Sequence, residues 1–212
     1  MRKIYFVRHG ETNGNLGGYW QGPDEPLNEN GLKQARILAN RVKDLNVGRV
    51  ISSSMKRAVQ TADVIAQSAN LSVEYSDLFR EVKNPTSVQG YVPDSDKDKL
   101  IELYKTERLN HLEDIDWHFE DEENVADMTN RIKEAASYLD NLKEESVLIV
   151  SHGNFIRNFT GHIITDGSYS LTEAFNFRFK LKTINTGITL FVEGEHGWQL
   201  LTWNDHAHFA DN

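Results

Sequence analysis

Three short apolar runs that do not alternate with polar residues constrain this chain most: Ile4-Tyr5-Phe6-Val7, Val50-Ile51 and Val147-Leu148-Ile149-Val150. A strand with one wetted face alternates in polarity, so an unbroken run points to a strand covered on both faces, as in a parallel sheet between helices. Helical spacing fills the gaps. After an N-cap at Asn28 come Leu32, Ala35, Leu38, Ala39, Val42 and Leu45, and after Ser53-Ser54 come Ala58, Ala62, Ile65, Ala66 and Ala69. A third helix carries Val125, Met128, Ile132, Ala135, Leu139 and Leu142 on one face. The alternation predicts an α/β fold of three layers, α/β/α, around a mostly parallel central sheet. Its 212 residues suit one domain over 1–212, a size that buries roughly 70% of the unfolded surface.

From about residue 82 to 123 the rhythm breaks. This stretch holds Pro85, Gly90 and Pro93, a short helical pattern through Leu100, Leu103 and Tyr104, and an acidic run from Glu113 to Glu123. It is expected to be a helical and loop insertion, or cap, over the active site. Tyr91, Tyr104, Trp117 and Phe119 either line that cap or pack it onto the core, and the acidic run reads as a solvated face. Another strand is expected over Ser72 to Tyr75. Near the end, Ile188 to Val192 and Trp198 to Trp203 flank a Gly-rich turn and read as a hairpin, and Asp205 to Asn212 reads as a loose polar tail.

The residues just beyond each buried run carry the chemistry. Val7 is followed by Arg8-His9-Gly10-Glu11-Thr12, Val50-Ile51 by Ser52-Ser53-Ser54-Met55-Lys56-Arg57, and Val150 by Ser151-His152-Gly153-Asn154. Parallel neighbours would bring these segments to one edge, where open α/β sheets bind ligands. Two arginines and two histidines in one crevice suit an anion, and a phosphoryl group above all. Guanidinium forks match its oxygens, a helix start near Arg57 adds N–H donors, and a neutral imidazole can attack phosphorus. Nearby arginine charge would keep that imidazole unprotonated. A carboxyl group must still protonate the leaving oxygen, and both Glu11 and Glu81 are candidates.

Composition narrows the classes. There is no cysteine, which excludes disulfides, thiolate metal sites and thiol phosphatases. A formal charge of −9 argues against nucleic acid and anionic membrane as partners. The initial apolar run ends at Arg8 after four residues, too short for a signal peptide, and nothing approaches the roughly 20 apolar residues of a membrane span. A cytoplasmic location is expected, and the oligomeric state is left open. Asp205-His206-Ala207-His208 has the look of a metal-ligand cluster, but with no other converging ligand it is read as solvated, and no metal is expected.

Taken in order, Arg8-His9-Gly10-Glu11-Thr12 with Asn15, Gln21-Gly22-Pro23-Asp24-Glu25-Pro26-Leu27 leading to Gly31 and Gln34-Ala35, Ser52 through Ala62, and Ser151-His152-Gly153 resemble the histidine phosphatase superfamily, also called phosphoglycerate mutase-like. The resemblance implies that His9 is the phosphorylated nucleophile and that Arg8, Arg57, His152 and Gly153 build the phosphate pocket. It also implies that Asn15 and Gln21 make secondary phosphate contacts and that Glu81 is the proton donor, in preference to Glu11. Trp20-Gln21-Gly22 looks like the phosphatase branch, and Val82-Lys83-Asn84-Pro85-Thr86-Ser87 stands where the mutases carry a tyrosine- and glycine-containing motif. The function so implied is a metal-independent, cofactor-free phosphomonoesterase acting on small phosphorylated metabolites through phosphohistidine. The alternatives are a cofactor-dependent phosphoglycerate mutase and, from another class, a non-catalytic module that binds phosphorylated ligands.

Overall fold

The apolar runs become strands of one six-stranded sheet. The strands are β1 (Lys3–Arg8), β2 (Arg49–Ser52), β3 (Val73–Tyr75), β4 (Ser146–Ser151), β5 (Ile188–Gly194) and β6 (Gly197–Asp205), lying side by side as β3-β2-β4-β1-β5-β6. This is a computed structural model, and it describes residues 1–93, 95–111, 113–168, 177 and 179–209. The first four strands pair in parallel, whereas β5 joins β1 and β6 joins β5 in the antiparallel sense expected of a hairpin. The helices are α1 (Asn13–Gly17), α2 (Glu29–Val42), α3 (Lys56–Ala69), α4 (Asp98–Asn110), α5 (Val125–Asp140) and α6 (Gly153–Ile164).

Alternate residues of each run feed two separate cores. Ile4, Phe6, Val147 and Ile149 pack with Met128, Ile132 and Leu139 of α5 and Phe155 and Phe159 of α6. Tyr5, Val7, Leu148 and Val150 pack with Leu38 and Val42 of α2 and Ala58, Ala62 and Ile65 of α3. That is why the strands read as unbroken, since both faces of the pleat are dry. Asn28 caps α2 as its position suggested, its side chain accepting from Gly31 N at 2.7 Å.

Glycine at two positions lets the turn after β1 touch the start of α2. A Cβ on Gly10 would lie 2.5 Å from Gly31 O, and one on Gly31 would lie 2.1 Å from Glu11 O, so backbone meets backbone with no room for a side chain. Glu11 serves the same junction, accepting from the side chains of Asn28 at 3.0 Å and Asn30 at 3.1 Å.

Two expectations are corrected. Asp205 closes β6, and residues 207–209 form a helical turn in which His208 is buried, its Nε2 3.3 Å from Thr186 Oγ1. Asp205 anchors this turn to α2 by pairing with Arg41 at 3.3 Å and accepting from Ala207 N, so the segment is no loose tail. Residues 210–212 lie outside the described residues. The acidic run is only partly a solvated face. Glu122 and Glu123 are buried because they find partners: Tyr104 and Phe119 N for the first, Arg131 for the second. Tyr104 itself is buried against Trp20 and Phe119, with ring centroids 5.3 Å away in each case. No helix among the described residues is long and apolar enough to cross a membrane.

Candidate active site

The register of the sheet puts the carboxyl ends of its parallel strands level. Arg8 pairs across from Ser151, Ser52 from Val150, and Tyr75 from Ser52, so the turns after β1, β2, β3 and β4 open on one edge. There they border a crevice of about 750 Å³, walled by Arg8, His9, Arg57, Glu81 and Gly153 among others.

His9 is buried at this edge, with its Nδ1 2.7 Å from Gly10 O. A carbonyl only accepts, so Nδ1 carries the ring proton and Nε2 keeps its lone pair. Arg57 Nε donates to that Nε2 at 3.2 Å. Burial, reinforced by the charges of Arg57 and Arg8, holds His9 well below the usual imidazole range. The neutral ring expected from sequence therefore results, with burial contributing more than the arginines.

His152 lies beside it, fully buried, at a ring-centroid distance of 5.1 Å, with Nε2 2.8 Å from Ser53 Oγ. It too is pushed well below the usual range, chiefly by burial and then by Arg57, His9 and Arg8. Arg57, in the first turn of α3, is fixed by donating from Nη1 to Gly22 O at 2.9 Å. Arg8 donates from Nη1 to Thr183 O at 2.8 Å, and burial drives its guanidinium down to about 10, opposed by Glu81 and helped by Arg157 and Arg57.

Two buried polar atoms here have no partner among the described residues: Arg8 Nε and His152 Nδ1. Buried donors and acceptors are normally satisfied, so these two atoms have hydrogen-bonding capacity to spare. Gly153 keeps this space open, since a Cβ there would sit 3.6 Å from Arg8 Nε and 2.9 Å from Thr183 Oγ1.

Glu81 follows the turn after β3. Its Oε1 accepts from Val82 N and Phe155 N, both at 3.0 Å, and its Oε2 accepts from Asn154 N at 3.2 Å. The carboxylate thus caps the first turn of α6 from a distant part of the chain, where the positive end of the helix favours it. Asn15 lies in α1 and forms a reciprocal capping pair with Thr12; its Oδ1 also accepts from Asn185 Nδ2 at 2.9 Å, which leaves the amide NH₂ for a ligand. Gln21 borders the crevice, its Cγ so close to Gly14 that a Cβ there would lie 2.4 Å away.

Sequence reasoning missed the segment before β5 and one arginine of α6. Thr183 receives both Arg8 and Arg157, and Asn185 Nδ2 donates to His9 O at 2.9 Å. Because β5 runs antiparallel to β1, its amino end reaches the edge where the parallel strands end. The polar stretch Thr183-Ile184-Asn185-Thr186 was the available signal, legible only once that direction is known. The arrangement can clamp a small tetrahedral anion and present a lone pair to its centre. His206 and His208 face different partners: His208 Nε2 lies 3.3 Å from Thr186 Oγ1, while His206 Nδ1 faces Asn204 O at 3.0 Å.

A family model described as the histidine phosphatase superfamily (branch 1) matches residues 4–206. A probable phosphatase of Schizosaccharomyces pombe is 30% identical over 212 residues, covering 97% of this chain and 94% of the relative. A probable phosphoglycerate mutase of Escherichia coli O1:K1 is 31% identical over 156 residues, or 72% of this chain and 70% of that protein. Among solved structures, the phosphoserine phosphatase of Entamoeba histolytica in complex with 3-phosphoglyceric acid superposes with a TM-score of 0.78 at 25% identity, covering 98% of this chain and 99% of that one.

Proposed function

This chain belongs to the histidine phosphatase superfamily, branch 1, and from that premise and the crevice geometry we propose that it is a metal-independent phosphomonoesterase of small phosphorylated metabolites, working through phosphohistidine. The substrate's phosphoryl oxygens lie between Arg8, Arg57 and His152, over Gly153, with Asn15 and Gln21 at the rim. His9 Nε2 attacks phosphorus, an N–P bond forms, the ester P–O bond breaks, and the leaving alkoxide takes the proton of the Glu81 carboxyl. In the second step the Glu81 carboxylate takes a proton from water, the oxygen attacks phosphorus, the N–P bond breaks, and orthophosphate leaves. Arginine charge does the work a metal could do elsewhere, since a loose phosphoryl-transfer transition state responds mainly to positioning and electrostatics.

The observation that carries this reading is the His9 ring: Nδ1 tied to Gly10 O at 2.7 Å leaves Nε2 as a lone-pair nucleophile beside Arg57. The insertion 82–123 is read as the cap that selects the leaving group, because Lys83, Asn84, Gln89 and Trp117 stand in the crevice wall. The test is rapid quenching with a ³²P-labelled ester. An acid-labile, alkali-stable phosphoenzyme is expected, absent in His9→Ala, with turnover indifferent to chelators. An alkali-labile label, or turnover surviving in His9→Ala, overturns the mechanism.

A second reading rests on the Escherichia coli relative. In a phosphoglycerate mutase the same phosphohistidine would return its group to a phosphoglycerate. Conversion of 3- to 2-phosphoglycerate faster than release of orthophosphate would establish it. Binding of orthophosphate with no turnover on any ester would instead leave a phospho-ligand binding module.

A further inference from the structure

The loop from Leu78 to Lys83 is tethered far more heavily than a surface turn requires, and the tether is one buried ion pair. Arg131 of α5 donates from Nη1 to the carbonyls of Leu78 at 3.0 Å and Arg80 at 2.9 Å, the second being the peptide that leads into Glu81. Its Nε and Nη2 meet Glu123 at 2.6 and 2.7 Å, and both residues are buried. Glu123 accepts from Lys83 N at 3.2 Å and from Arg80 Nη2 at 3.5 Å, while its own N–H donates to Lys83 O at 2.9 Å. The Arg131 guanidinium also lies 5.2 Å over the ring of Phe155, whose N–H holds Glu81 Oε1.

Such a pair is a poor way to gain stability. Desolvating two charges offsets most of their attraction, and apolar residues of similar volume commonly serve as well. Its distinctive property is direction, because a planar guanidinium fixes several acceptors at once. Here the carbonyl acceptors of Arg131, Leu78 and Arg80, precede Glu81, and Glu123, which the same guanidinium holds, grips Lys83 beyond it.

We propose that the Arg131–Glu123 pair is a positioning device for Glu81, holding the backbone on either side of the acid and joining it to the neck of the insertion. Neither residue needs to touch substrate. To reach the ester oxygen, the Glu81 carboxyl must leave the N–H groups of α6. With its flanking peptides pinned, that is a side-chain rotation and not a displacement of the loop. This inference rests on Glu81 being the acid, and the experiment separates the two.

The readout is the ratio of kcat/KM for an alkyl phosphate, β-glycerophosphate, to that for p-nitrophenyl phosphate, whose leaving group needs little protonation. Glu81→Gln should lower this ratio on the order of 100-fold, the scale of general-acid catalysis. Arg131→Met should lower it by at least about tenfold, since small misplacements of a reacting group are costly, and Arg131→Met with Glu81→Gln should be no worse than Glu81→Gln alone. Arg131→Lys keeps the charge but not the fork, so it should fold and show the same selective loss in smaller measure. If Glu81→Gln lowers the ratio but a folded Arg131→Lys or Arg131→Met does not, the positioning role fails while the acid stands. If Glu81→Gln leaves the ratio unchanged, Glu81 is not the acid and the inference falls with it.

Discussion

Arg57 Nε donates to His9 Nε2 across 3.2 Å, so the guanidinium covers the lone pair that the proposed attack requires. A bound phosphoryl group offers oxygens that are better acceptors than imidazole, and redirecting the guanidinium to them uncovers Nε2. In the proposed mechanism, charge binding and nucleophile release are then one event. A lysine would supply charge without the planar two-armed geometry that makes this exchange. Arg57→Ala should lower kcat/KM for p-nitrophenyl phosphate by about 100- to 1000-fold, the scale of one lost charge-stabilising donor, and Arg57→Lys should recover little of it. Near wild-type activity in Arg57→Lys would show that point charge alone suffices.

The two neutral histidines predict how the fold responds to acid. In the unfolded chain each protonates at the ordinary value near 6.5, while in the folded state both are held well below it. Below pH 6.5 the unfolded state therefore binds more protons, and stability is lost as pH falls toward the folded values, having been fully present above 6.5. Each histidine contributes a slope of up to about 1.4 kcal/mol per pH unit. Urea midpoints measured from pH 7.5 to 5 should fall more steeply for the wild type than for His9→Gln or His152→Gln. Parallel curves would mean that these rings are not held neutral.

The proposed anion site, built from buried, mutually repelling guanidiniums, should be relieved by its ligand. Arg8 is lowered to about 10, and Arg8 Nε and His152 Nδ1 have no hydrogen-bond partner among the described residues. Orthophosphate at about 100 times its Kd should add roughly 2.7 kcal/mol, which for a chain of this size raises Tm by on the order of 5–10 °C. Differential scanning fluorimetry against a sulfate and chloride series checks this. A rise no greater than with chloride at equal ionic strength would contradict a built phosphate pocket.

Much of this architecture is legible in the order of residues alone. Ile4 to Val7 and Val147 to Val150 read as doubly buried strands because both faces of their pleat are dry, and the residues after them fall at one edge because parallel strands share an orientation. Arg8, His9, Arg57 and His152 come together for that reason. Asn185 and Thr183 are not legible in this way, since their arrival depends on an antiparallel strand whose direction no local pattern records. Glu123 reads as solvated because charge runs usually are, and its partner Arg131 lies on a helix that announces only its apolar stripe. Burial of an ion pair depends on what a loop 40 or more residues away brings to it, as Leu78 and Arg80 do for Arg131.

Gly153 offers a substitution that separates binding from folding. It opens α6 next to His152, and its backbone lies outside the left-handed region. Alanine is intrinsically the better helix former, which offsets part of the cost of a small shift of Thr183, so Gly153→Ala should lower stability only modestly. The added methyl, however, would press on Thr183 Oγ1 at 2.9 Å and stand 3.6 Å from Arg8 Nε, the unpartnered donor. Thr183 Oγ1 is also the acceptor of Arg157 Nη2 at 3.0 Å, so the displacement would loosen a second arginine at the crevice. Orthophosphate, as a competitive inhibitor, should bind Gly153→Ala at least about tenfold more weakly, equivalent to about 1.4 kcal/mol, while Tm without ligand stays within a few degrees of wild type. Unchanged inhibition would place the phosphoryl oxygens away from the start of α6.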